Sequence, residues 1–345
     1  MSFMKLAATT LAAACLALQA QAADITIRLA HLNPEDPFAS HSGAMGAVFK
    51  SLVESNSNGR IEVQLFPNGQ LGKDNEVIDQ VRNGLVESAI SSSGGMAQHY
   101  PLVGVFDIPF AFPNIGVASK VITKDSSFGK KFCSDLEAKT GLKVLGLLDS
   151  GGFFEFTNSK KPIRTIDDMA GLRIRTMTVP TQQTLVDSLG AKATPMAWSE
   201  LYTALQTGVV DGEMNPVPIV AFAKFDEVQK YLSLTNHLIT PYTWTMNEDF
   251  FKSLSPGDQY LVSWAADVAT DAGRAMSRVI EASDKGLPAL AKKMEVNTVA
   301  PEELKKFADA SQPAVRKLIE EKFGDEGAQM LDALMTSIDE EKTDF

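Results

Sequence analysis

Cysteine is nearly absent: the chain has two, Cys15 and Cys133, and only Cys133 lies outside an N-terminal apolar run. A disulfide framework is therefore excluded, and no electropositive neighbourhood is visible that would turn Cys133 into a reactive thiol. Histidine is almost as scarce. His31, His41, His99 and His237 are scattered without ligand spacing, so each reads as an ordinary polar residue rather than a metal ligand or a base. The chain also lacks the G-x-S-x-G elbow, the G-x-x-x-x-G-K-[ST] loop, a G-x-G-x-x-G turn after a strand and the H-E-x-x-H helix. Hydrolase, nucleotidase and dehydrogenase readings lose their usual handles, and no cofactor or metal is expected. Positive charge is in deficit, with 32 Lys and Arg against 43 Asp and Glu. That balance argues against a nucleic-acid partner, which needs clustered cations. It leaves room for a small anionic ligand, because one cation in a cleft outweighs distant charges screened over about 8 Å.

Long apolar runs are missing everywhere except at the start. Lys5 is followed by the Ala- and Leu-rich run Leu6 to Leu18 and by Ala20-Gln21-Ala22, the small-x-small pattern of a signal-peptidase site. Residues 1–22 are expected to be a signal peptide cleaved after Ala22, giving an exported periplasmic protein. Cys15 raises lipid attachment as a rival, but the residue three before it is Ala12, where such sites usually carry Leu. Cleavage would take the net charge from -11 to -12, since Lys5 is the only charge removed. The roughly 320 residues that remain exceed what one core usually holds, so two domains are expected.

What is present is an alternation of strand and helix signals, the α/β pattern. Ile25, Ile27 and Leu29 alternate with polar residues as in a half-buried strand; Met45, Val48, Phe49, Leu52 and Val53 recur at helical spacing. Ile61, Val63 and Leu65 form a second strand, and Asp74 is positioned to cap a helix carrying Val77, Ile78 and Val81. FDIPFAFPN at 106–114 is apolar but broken by two prolines, so it reads as a buried loop. A second set begins with GLKVLGLL at 141–148 and FFEFTNS at 153–159. It continues through LRIRTM, a helix from Gln182 to Leu189 and one opened by Ser199 and ended by Gly208. After the strand YTWTM at 242–246 the chain turns helical, with Ser255-Pro256 opening one helix and Gly324 and Gly327 marking breaks. The pairs Asp167-Asp168 and Glu320-Glu321 read as solvated.

The informative stretch is GLRIRTMTVP at 171–180. On a strand, Leu172 and Ile174 point one way and Arg173 and Arg175 the other. Two guanidinium groups on one face need anions, whether on the protein surface or on a ligand. Periodicity does not choose between these, nor does it say whether Trp198 stacks on a ligand or wedges two lobes. Asn215, in a turn-like segment before Pro216, can equally satisfy its own backbone.

The run from GLRIRTM through LGAKATPMAWSELYTALQTGVVDGEMNP resembles the DctP-type solute receptors of tripartite ATP-independent periplasmic (TRAP) transporters, and FPNGQLG, IPFAF and TNSKKPI fit the same family. The resemblance implies a two-lobed α/β periplasmic binding protein, type II-like, with hinge strands, a long helix spanning both lobes and a cleft that closes on a small organic acid. It implies membrane permease subunits as partners, and a receptor rather than an enzyme. Carried over by position, Arg175 looks like the family's carboxylate anchor, Trp198 like an aromatic facing the ligand and Asn215 like a substrate-bonding amide, while Arg173 is a structural or surface charge. Phe154 stands where many relatives carry a second ligand-facing arginine, which favours a monoanion with an apolar or aromatic body. Asp74, Glu76, Ser92 and Ser93 are candidates for the facing wall. The expected lobes are 23–151 with 241–280, and 152–240 with 281–345, in a monomer. The alternatives are an exported sensory receptor and an exported enzyme acting on a small organic acid.

Overall fold

The computed structural model describes residues 23–342. The expected leader, with Lys5, Cys15 and the Ala22 cleavage site, lies outside the described residues, as do residues 343–345. The strands are β1 (Ile25–His31), β2 (Ile61–Phe66), β3 (Ser88–Ser92), β4 (Leu142–Asp149), β5 (Phe154–Asn158), β6 (Arg173–Thr176), β7 (Lys192–Pro195), β8 (Gly212–Pro216), β9 (Tyr231–Leu238), β10 (Pro241–Asn247) and β11 (Glu295–Thr298). They form two sheets, ordered β2-β1-β3-β10-β4 and β11-β9-β5-β8-β6-β7. In the first, β1 runs parallel to β2 and β3, whereas β10 is antiparallel to both of its neighbours. Each sheet is the floor of one lobe.

The alternation in β1 has the expected result, with Ile27 and Leu29 fully buried. The helix His41–Asn56 is opened by Ser40, whose hydroxyl accepts from the Gly43 N–H, and the chain turns at Asn58 and Gly59, both at positive φ. Three helix starts or stops differ from the sequence expectation. Lys73, not Asp74, is the cap of Asp74–Arg82; the Asp74 carboxylate accepts instead from Ser92, at 3.0 Å from the backbone N–H and 2.5 Å from the hydroxyl. Trp198 rather than Ser199 begins the helix Trp198–Gln206. Gly324 (φ 56) does kink the long C-terminal helix Pro301–Lys342, but helical structure continues through Gly327, which is buried close to Phe323 and Ile319. In the 106–114 segment, Phe106 and Asp107 end a 3₁₀ helix (Pro101–Asp107), and the irregular remainder is largely buried, as its apolar composition requires.

The chain crosses from one sheet to the other between β4 and β5, and back between β9 and β10. The two crossings are bonded to each other: Ser150 N–H donates to the Thr240 carbonyl at 3.0 Å, and their hydroxyls lie 3.2 Å apart. Gly151 and Gly152 adopt φ of 122° and 124°, and a Cβ on Gly152 would sit 2.6 Å from the Arg278 guanidinium, so the crossing tolerates only glycine there. The helix Pro256–Ala282 packs on His41–Asn56 and β4 and extends to Val217–Phe222 in the other lobe. Pro301–Lys342 likewise packs against both Pro101–Asp107 and Pro180–Ser188. A buried polar tie joins the same two elements: Thr181 Oγ1 and Gln182 Nε2 donate to the Asp107 carboxylate at 2.5 and 3.2 Å. Short strand crossings backed by helices common to both lobes permit rotation about one axis and little else. No helix among the described residues is long and apolar enough to cross a membrane.

Candidate functional site

A cavity of about 490 Å³ lies between the sheets in front of the two crossings. Its size is that of a small-ligand site. From the six-stranded sheet it is walled by Phe154, Arg175, Met177, Trp198 and Asn215; from the five-stranded side by Asn33, Asn68, Asp74, Glu76, Ser92 and Tyr242. Five of the six residues favoured from sequence are therefore brought together here: Arg175, Asn215, Trp198, Phe154 and Glu76. Ser93 is not. Its side chain is fully buried with the hydroxyl 4.0 Å from the Met177 sulfur, while Ser92 lines the cavity and bonds Asp74.

The two arginines of β6 separate sharply. Arg173 forms a bidentate pair with Asp211, Nε to Oδ2 at 3.0 Å and Nη2 to Oδ1 at 2.8 Å, and its side chain keeps 42% of its exposure. Arg175 is only 3% exposed. Among the described residues its guanidinium bonds the Met196 carbonyl, at 3.2 Å from Nε and 2.9 Å from Nη2, and makes no ion pair. Loss of hydration pushes it down to about 10, against the pull of Glu213, Tyr242 and Glu200. A buried guanidinium with one neutral acceptor is poised for an anion, and its planar fork suits a carboxylate.

Behind Arg175, β8 places Glu213 as its register partner. The Glu213 carboxyl is raised to about 7 by burial and accepts from Thr157 Oγ1 and from Asn215 Nδ2, each at 2.5 Å. Asn215 is thereby oriented, leaving its second N–H and its carbonyl oxygen for a ligand. Sequence reading missed Glu213 as a positioning group; the signal was its place two residues before Asn215, on the same strand face.

Phe154 and Phe156 divide the apolar work. Phe154 lines the cavity, whereas Phe156 is fully buried and stacked on His237 with centroids 4.0 Å apart. Trp198 borders the cavity and packs within its own lobe against Phe222 and Phe225 at 6.2 and 5.7 Å, so it is no wedge between the lobes. Opposite, burial raises the Asp74 carboxyl to about 6 despite its bonds from Ser92. Tyr242, read from sequence only as part of a strand, reaches the cavity because β10 pairs it with Ser92, and Asn33 donates to its hydroxyl at 3.5 Å. At the rim, Glu76 is tied to the backbone N–H of Lys73 at 2.9 Å, and Lys73 reaches across the cleft to Glu200 at 2.8 Å. Gly94 is held so near Met177 that a Cβ would lie 3.0 Å from it. The lips are closed.

The family model for bacterial extracellular solute-binding proteins, family 7 (DctP), matches residues 31–322. The chain belongs to this family. It is a solute-binding protein of the TRAP transport type and not an enzyme. The 2,3-diketo-L-gulonate-binding periplasmic protein YiaO of Escherichia coli is 33% identical over 83% of this chain and 85% of its own length. The C4-dicarboxylate-binding periplasmic protein DctP of Rhodobacter capsulatus is 32% identical over 80% of each chain. The sugar-acid-binding protein DctPAm of Advenella mimigardefordensis, solved with galactonate, superposes with a TM-score of 0.84 at 34% identity, covering 91% of this chain and 99% of that one. These three relatives are named for, or solved with, small organic acids.

Proposed function

We propose that this receptor captures a hydroxylated organic monocarboxylate in the periplasm and hands it to the membrane permease of a TRAP transporter. The carrying observation is Arg175, a buried cation without an ionic partner among the described residues, on the wall of the interlobe cavity. In this reading Arg175 grips the carboxylate through paired N–H groups, and Asn215, held by Glu213, adds a further bond. Phe154, Met177 and Trp198 pack the ligand's C–H faces. Asp74, Ser92, Asn33 and Tyr242 take hydroxyl groups on the other side, and Glu76 guards the rim. The polar far wall replaces the aromatic ligand body expected from Phe154 alone with an amphipathic one. YiaO and DctPAm, named for sugar acids with one carboxylate, support that choice.

A second carboxylate on the ligand would meet either Phe154 or the Asp74 carboxyl. Both are unfavourable, the first by desolvation and the second by like charge. The lobes take the boundaries 23–151 with 241–280 and 152–240 with 281–345, the mature chain begins at Ala23 without lipid on Cys15, and the receptor acts as a monomer. A thermal-shift comparison of galactonate with galactarate, its dicarboxylate counterpart, tests the reading. A ligand at a hundred times its dissociation constant adds about 2.7 kcal/mol of stability. Stabilisation by galactarate but not by galactonate would sink it, and mass spectrometry of the exported protein checks its first residue.

A further inference from the structure

A second cavity, of about 520 Å³, lies behind the hinge. Its position follows from strand geometry: consecutive side chains on an extended chain point to opposite faces, and Phe154 lines the front cavity while Phe153 lines this one. The two share no lining residue. The rings of Phe110, Phe112 and Phe153 and the side chain of Leu304 form its apolar walls, with Asn236, Arg278 and Glu281 at its polar edge. The shape is built rather than incidental. Phe110 is held at φ 56, an unusual conformation for a bulky residue, with its N–H bonded to the His237 carbonyl at 2.9 Å.

The charges around this cavity are unbalanced. Arg278 Nη2 donates to the Gly151 carbonyl at 2.5 Å and lies 3.6 Å from the Asp149 carboxylate, and its Nε is 3.3 Å from Glu281. Glu155 is buried beside them and accepts from the backbone N–H groups of Thr235 and Asn236 at 2.5 and 2.9 Å. One guanidinium is thus shared between two carboxylates, Asp149 and Glu281. Burial and Asp149 raise the Glu281 carboxyl against the pull of Arg278, and burial raises Glu155 to about 8.

We propose that this rear cavity binds a small organic cation, an ammonium or quaternary ammonium group on an apolar body, and that its occupant holds the receptor closed. Aromatic faces attract such a cation, and Glu281 supplies the counter-charge. An anion would meet an Arg278 already matched by Asp149 and Glu281. The conformational effect rests on the front cavity being the ligand cleft. Arg278 is carried by the helix Pro256–Ala282, which packs on β4 of the five-stranded sheet, and Thr235 and Asn236 by β9 of the six-stranded one. Rotation about the crossings that parts the front lips brings the rear walls together, so a molecule between them resists opening. By linkage, rear cation and front ligand then strengthen each other's binding.

Titration calorimetry with benzyltrimethylammonium, and with benzoate in parallel, tests this on the mature chain. The cation should bind at one site and benzoate should not. Glu281→Gln should weaken the cation by about tenfold or more, and Leu304→Trp, which fills the cavity, should abolish it in a folded protein. Saturating cation should tighten galactonate by about fivefold or more. Arg175→Ala should lose galactonate and keep the cation, so failure of the front-site reading leaves the rear-site measurement standing. Absence of cation binding, equal binding of benzoate, or a cation affinity unchanged in Glu281→Gln overturns the site; cation binding with no change in galactonate affinity overturns the coupling.

Discussion

The two walls of the cleft are made of different chemistry. The six-stranded side contributes one buried cation, an oriented amide and a set of apolar surfaces, whereas the five-stranded side contributes hydroxyls, amides, the carboxyls of Asp74 and Glu76 and, at the rim, Lys73, which is paired with Glu200. A ligand with one charged end and a hydrogen-bonding body matches this asymmetry, and a ligand charged at both ends does not. The anchoring wall also has a rigid backing, since Arg175 bonds Met196 and Asn215 bonds Glu213. In the proposed reading, charge recognition is placed on this backed wall, and the facing polar groups are brought up by the other lobe.

The strongest way to break the comparison is at its charged end. Arg175→Ala removes one partner of a buried charge pair, and galactonate affinity should fall by about 2 to 5 kcal/mol, tens to thousands of times. Arg173→Ala, which disrupts a half-buried pair with Asp211 away from the cavity, should leave affinity nearly unchanged; calorimetry giving equal losses would refute the distinction. Phe154→Arg should move the apolar wall toward a second cation, raising galactarate relative to galactonate by about tenfold or more. An unchanged ratio in a folded variant would show that Phe154 does not select.

The polar wall should respond to pH. The Asp74 carboxyl is raised to about 6, and an ionised carboxylate accepts a hydroxyl proton better than a protonated one. Galactonate binding should therefore weaken as pH falls from 7 through about 6, and Asp74→Asn should bind more weakly at pH 7 with a flatter profile. The smallest effect belongs to the rim. Lys73→Ala and Glu200→Ala break an exposed ion pair, so affinity should change by less than about threefold and the change should vanish in high salt.

Folding stability has its own pH profile, set by groups on both sheets. Burial raises Asp74, Asp107, Glu155 and Glu213 to about 6, 7, 8 and 7. These carboxyls hold more protons folded than unfolded between about pH 4 and 8, so they add stability as pH falls through that window. Buried His31, His41 and His237 are pushed down to about 4, 3 and 3. They hold fewer protons folded than unfolded and withdraw stability below about pH 6.5. The four carboxyls outweigh the three imidazoles down to about pH 5, so Tm measured by calorimetry should rise as pH falls from about 8 to about 5 and decline below that, and a Tm rising steadily to pH 8.5 would contradict this assignment.

Periodicity was a good guide to what is local. The alternation of Ile27 and Leu29 with polar residues, the helix through Met45 and Phe49, and the stop at Asn58-Gly59 are all present, because each depends on neighbours within one or two turns. Helix starts were less legible. Asp74 has a capping side chain, yet its carboxylate is taken by Ser92 from another element, and Ser199 lost the start of its helix to Trp198. The candidate site divides in the same way: Phe154 and Asn215 followed from motif position, but Tyr242 and Glu213 needed their sheet partners to show their roles.

The sequence by itself determined the family, the α/β alternation and the presence of two arginines on one strand face. Only the tertiary structure decided that Arg173 is spent on Asp211 while Arg175 is buried on the wall of the interlobe cavity. The reason is physical. Strand geometry reaches two residues along the chain, whereas Met196, Asp211 and the facing Asp74 meet β6 only when separate elements pack, and it is those contacts that decide whether a charge is satisfied by the protein or left for a ligand.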